Sequence, residues 1–167
     1  LEVSLKASIP AVSSYPTVNA NPVVADGATQ YTVSFKVSDA SGYSHIICMR
    51  VLFNQTEAGG DSSRGRGYLA WGTKDETITK FGSTWVLADA NEGRWGYCAD
   101  NWGGTTYISP VSCTVANSGK ATGGTGYRTV TWTFIARPAW AANPLINDAD
   151  GWAEDAAGNR IGWRDNP

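Results

Sequence analysis

Alternation with a period of two runs through most of this chain, and it predicts strands with one face in a core and the other in water. Val3, Leu5, Ala7 and Ile9 alternate with Glu, Ser, Lys and Ser. Pro10, Pro16 and Pro22 then punctuate a stretch read as an irregular connection, which ends in the turn signal Ala25-Asp26-Gly27. Tyr31, Val33, Phe35 and Val37 repeat the alternation cleanly. After Asp39-Ala40-Ser41-Gly42, residues 45 to 54 are apolar on both faces, as a central strand requires. The polar tract QTEAGGDSSRGRG reads as a loop.

Further strands are expected at 67–73, 76–81 and 84–88, with tight connections that suit hairpins. A long Gly- and Trp-rich loop is expected from Asp89 to Thr105. Residues 107–116 and 127–136 follow as strands around the flexible NSGKATGGTG, with Val130, Trp132, Phe134 and Ala136 on one face. GWAEDAAGNRIGW closes the chain as strand, Gly-Asn turn and strand. No amphipathic helix of useful length is visible. Eight or nine short strands at this spacing predict an all-β fold, a two-sheet antiparallel sandwich of immunoglobulin-like or jelly-roll-like type, with residues 1–167 as one domain.

Composition sharpens the picture. Apolar residues make up 42% of the chain and charged residues 17%, with 19 Gly and 8 Trp, a β- and turn-rich balance. The net charge of -2 supplies no basic field, which argues against nucleic acid as a partner. No apolar run is long enough to span a membrane as a helix. Leu1 is not an initiator methionine, so the chain reads as an excised or processed module, with any leader already removed.

Three cysteines are present. Cys98 and Cys113 bracket a Gly- and Trp-rich stretch, and a Cys98–Cys113 disulfide is expected, with Cys48 a buried thiol; three reduced core cysteines are the alternative. No CxxC or His/Cys cluster suggests zinc.

Catalytic candidates are sparse. His45 begins an apolar strand and reads as structural, and none of Glu2, Glu57, Glu76, Glu92 and Glu154 sits in the mid-strand groove pattern that a small glycosidase needs. The expectation is a non-enzyme. No cofactor is implied; structural calcium stays open at Asp39, Glu154 and Asp155, whereas the run Asn147 to Gly151 fails as an EF-hand because Ile146 stands at its first ligand position.

Tryptophan carries the functional signal. By phase, Trp132, Trp140 and Trp163 belong to the core. Trp71, Trp85, Trp95 and Trp102 cluster in a Gly-rich, polar segment and are expected to form an exposed platform. An equatorially substituted sugar presents a flat face of C–H bonds that packs on the negative face of an indole. Arg94, Asp100 and Asn101 are placed to meet the sugar hydroxyls. The alternative for Trp85 and Trp95 taken singly is burial in a tight sheet.

The stretches YTVSFKVSDASGYSHI, RVLFN, TWTFIARPAW and WAEDAAGNRIGW resemble the immunoglobulin-like modules of secreted bacterial proteins. More narrowly, the chain resembles carbohydrate-binding module family eighty-one, β-glucan-binding modules of the kind appended to a soil-bacterial endoglucanase. That resemblance implies a secreted, non-catalytic sandwich that binds cello-oligosaccharides, mixed-linkage β-glucan or xyloglucan on a flat aromatic surface and targets a covalently linked hydrolase. Two positions depart from the broader pattern. Gly67 stands where related repeats carry a cysteine, which leaves Cys98 as the partner for Cys113, and His45 stands where they carry an acidic residue, which weakens an inherited calcium site. The competing class is a structural or adhesive spacer whose tryptophans pack into the sheet.

Overall fold

A computed structural model describes residues 9–20, 22–54, 67–80, 84–99, 104–141 and 148–164. They form ten strands: β1 (Ala11–Val18), β2 (Gln30–Asp39), β3 (Ile46–Asn54), β4 (Gly67–Gly72), β5 (Trp85–Asp89), β6 (Arg94–Cys98), β7 (Ile108–Gly119), β8 (Gly126–Ala136), β9 (Asp148–Asp155) and β10 (Arg160–Arg164). Two short helices join them, α1 (Asp75–Thr79) and α2 (Pro138–Ala141). The strands make two antiparallel sheets, ordered β1-β2-β8-β7 and β10-β9-β3-β4-β6-β5. The fold is an all-β sandwich, as the alternation predicts.

The core lies between the sheets and follows from phase. Tyr31, Val33, Phe35 and Val37 of β2 and Val130, Trp132 and Phe134 of β8 meet Met49, Val51 and Phe53 of β3 and Leu69 and Trp71 of β4. Alternate residues of β2 and β8 point the other way and carry Thr32, Ser34, Thr129, Thr131 and Thr133, all half-buried. Trp132 and Trp140 are buried, in keeping with their phase; the side chain of Trp163 lies outside the described residues. Chain reversals use glycine where backbone crowds backbone. A Cβ on Gly42, whose φ is 121°, would run into the carbonyl of Ala121.

Three expectations need correction. Residues 11–18, read as irregular because of Pro10 and Pro16, form β1, an edge strand whose pairing with β2 slips twice, between Val12 and Ser14 and between Ser14 and Thr17. An edge position tolerates proline because one side of the strand need not donate. Of the strand expected at 3–9, only Ile9 is described, and it precedes β1. The strand expected at 76–81 is replaced over most of its described length by α1 (Asp75–Thr79): Asp75 and Glu76 sit in its first turn, where carboxylates suit the helix dipole, and Ile78 packs inward. The loop expected from Asp89 to Thr105 contains β6, whose insertion between β4 and β5 determines where the tryptophans lie.

The β5–β6 connection is tied to the opposite sheet. The Asn91 side chain donates to the carbonyl of Val115 at 2.8 Å and accepts from its N–H at 2.7 Å, pairing with β7 as a strand would. Asn117 and Arg128 both donate to the Glu92 carboxylate.

Candidate functional site

Directly paired residues of neighbouring strands share a face, and the registers show which face each tryptophan takes. Trp71 and Trp95 stand opposite each other on β4 and β6 and turn toward the core. Trp71 is 0% exposed and Trp95 7%. The Trp71 indole N–H donates to the carbonyl of Glu92, so even its polar atom is satisfied internally. The expected exposed platform therefore fails at these two positions. Trp71 lies in an expected strand and Trp95 in a stretch that reads as loop but is strand β6, and the inner face they share is a place where indole bulk belongs. Trp102, Asp100 and Asn101 lie outside the described residues.

Trp85 takes the other face. It is paired with Cys98 at the start of edge strand β5 and remains half-buried on the outside of the six-stranded sheet. Leu87 follows on the same face, beside Gly96, and then Asp89, beside Arg94. Because Gly96 has no side chain, Leu87 lies across it: a Cβ there would come within 2.6 Å of Leu87 Cδ2. Arg94 ends the strip, with Nε donating to the Ala88 carbonyl at 3.2 Å and the guanidinium forming ion pairs with Asp89 at 3.1 Å and Asp75 at 3.8 Å. Cys98 lies four residue steps from Arg94 along β6, about 13 Å along the strand. An indole, a low apolar saddle and a charged end thus lie in line, and among the described residues Trp85 and Arg94 are the expected site residues on this surface.

Inboard of Trp85 the outer face is buried and polar at its centre. Arg50 on β3 is 0% exposed. Its guanidinium donates to the Tyr68 hydroxyl at 2.6 Å, to the Thr77 and Ile78 carbonyls of α1 at 2.8 and 3.1 Å, and to Cys48 Sγ at 3.4 Å. Aromatic rings enclose it: Trp152 at 4.7 Å, Tyr68 at 5.7 Å and Trp85 at 5.9 Å from their centroids. The Tyr68 and Trp85 rings are 4.9 Å apart and tilted by 60°, within the contact range of aromatic pairs. Burial pushes the Tyr68 hydroxyl up to about 12 and the Cys48 thiol above its ordinary range. Sequence reasoning missed this hub, although a single arginine inside IICMRVLF was its signal: a cation in a central strand must be enclosed and hydrogen-bonded.

The three cysteines are free and buried. Cys98 sits on β6 with Leu52 and Tyr68 on the outer face, whereas Cys113 sits on β7 in the inter-sheet core. The expected Cys98–Cys113 disulfide is thereby corrected: the two thiols belong to opposite sides of the six-stranded sheet, a separation that spacing along the chain does not reveal. Burial holds the Cys113 thiol far above its ordinary range.

The carboxylates considered for calcium have other work. Glu154 is 4% exposed and lies between Lys80 and Arg160. Asp155 accepts from the Ala157 and Asn159 N–H groups and from the Asn159 amide, closing the β9–β10 turn, and Asp39 accepts from the Ser41 N–H. Among the described residues, no three His, Cys, Asp or Glu side chains are arranged to hold a metal.

No protein-family model matches the chain, and neither a curated protein nor a solved structure matches it.

Proposed function

We propose that this domain is a non-catalytic module that binds β-glucan through the outer strip of β5 and β6, headed by Trp85 and ended by Arg94. The observation that carries the reading is the placement of Trp85: half-buried, on an edge strand, with its ring held by Tyr68 and lying near the Arg50 guanidinium. An indole fixed in this way meets the C–H bonds of an equatorial sugar without first losing rotamer freedom. Arg94 and Asp89 then meet hydroxyls further along the glycan, as donor and acceptor. Cello-oligosaccharides, mixed-linkage glucan and xyloglucan share the flat backbone that this requires. In an exported bacterial protein, such a module would hold a covalently linked hydrolase at its polysaccharide, where modest affinity raises effective concentration.

A structural or adhesive spacer is the second reading, favoured by the burial of Trp71 and Trp95. Calorimetric titration with cellopentaose and barley β-glucan separates the two. Binding by the wild type that weakens at least tenfold in folded Trp85→Ala, about 1.4 kcal/mol, supports the glucan module. No binding to either ligand supports the spacer.

A further inference from the structure

We infer that Arg50 is the positioning residue of the glucan site, acting through Tyr68 to set the orientation of Trp85; the inference rests on the glucan reading above. A buried guanidinium keeps its charge and needs acceptors for its N–H groups, and this one is arranged as a bracket. One nitrogen donates to the Tyr68 hydroxyl at 2.6 Å and another to two carbonyls of α1, so strand β3, strand β4 and the helix are locked to a single planar group. The Tyr68 ring, thus fixed, meets the Trp85 ring 4.9 Å away at 60°. Trp85 begins a five-residue strand that pairs with β6 at the edge of the sheet among the described strands, and its own backbone pairing does not choose its rotamer. The geometry on its inboard side does: Tyr68, Leu52 and Cys98 form the small apolar cluster against which it packs.

The chemistry that follows is preorganisation. A planar fork makes several hydrogen bonds in one geometry, whereas an ammonium on a flexible stem does not reproduce them. Lysine at position 50 keeps the charge and loses the bracket. Phenylalanine at position 68 keeps the ring and loses the hydroxyl through which Arg50 holds it. Both changes leave Trp85 in place and free its ring to move, so the first quantity to suffer is affinity for a ligand that needs that ring fixed.

The test combines glucan titration with acrylamide quenching in the full chain. The Trp85 contribution to quenching is defined as the component removed by Trp85→Phe. In folded Tyr68→Phe that component is expected to become more accessible, and affinity for cellopentaose and barley β-glucan to fall about three- to tenfold. Arg50→Lys is expected to do the same and not to rescue. In a Trp85→Ala background, Tyr68→Phe should cause no further loss of affinity, which a general loosening of the sheet would not produce. Unchanged quenching and unchanged affinity in folded Tyr68→Phe would overturn the inference while leaving the glucan reading standing. If the wild type binds neither glucan, that reading and the assigned role fall together, and quenching alone then reports whether Arg50 holds the ring.

Discussion

The Arg128 guanidinium lies 4.5 Å from the centroid of the Trp71 ring, so a cation on β8 of one sheet packs against an indole on β4 of the other. Its hydrogen bonds complete the link: Nε donates to the Asn117 side chain at 3.0 Å, one terminal nitrogen to the Ile46 carbonyl at 3.1 Å and the other to Glu92 at 3.3 Å. Burial pulls Arg128 below its ordinary pKa, and Glu92 opposes that shift. Arg128 thus joins the two sheets where Trp71 is most enclosed. Arg128→Met should therefore destabilise the fold by about 2–4 kcal/mol, since it abandons a buried carbonyl and an ion pair together with the cation–π contact. Urea unfolding at neutral pH measures it.

Trp71→Ala should lose about 3–5 kcal/mol of stability, because a fully buried indole leaves a cavity that rigid strands cannot close. The same variant, where folded, should bind barley β-glucan within about twofold of the wild type, since its site lies on the opposite face of the sheet. Trp85→Ala should show the reverse pattern. Paired unfolding and titration curves for the two variants check both statements.

The free, buried thiols make a chemical prediction. The protein unfolded in denaturant without reductant should react with a thiol reagent at three cysteines, while the native protein reacts slowly because all three are buried and burial disfavours the thiolates of Cys48 and Cys113. Adding reductant should leave Tm unchanged. A thiol count of one in the unfolded protein would restore a disulfide.

Asp26 closes the turn before β2 by accepting from the N–H groups of Ala28 and Thr29 and from the Thr29 hydroxyl. Those bonds, the hydroxyl first, hold its carboxyl down at about 2 against an ordinary value of 3.8. A depressed carboxyl contributes stability above its unfolded pKa and loses it as pH falls through the folded one. The stability difference between wild type and Asp26→Ala should be constant above about pH 5 and shrink between roughly pH 4 and 2. Unfolding curves across that range test the sign.

Several features of this protein were legible from residue order alone, for a physical reason. Strand faces are a local property of period two, so the alternations of β2 and β8, the apolar run of β3 and the placement of Trp132 in the core follow from the chain itself. The turn at Asp26-Gly27 is equally local, because a short side chain reaches its own backbone. Beyond that reach the sequence was silent or misleading. Trp71, Trp85 and Trp95 look alike as members of one Gly-rich segment. Only the insertion of β6 between β4 and β5 sends Trp71 and Trp95 into the core and leaves Trp85 on the outer face. Cys98 and Cys113 are near in sequence, and the sheet between them is a tertiary fact. The enclosure of Arg50 by residues from β4, β5, β9 and α1 required strands from across the chain to assemble, since a buried cation is stable only once its distant partners are in place.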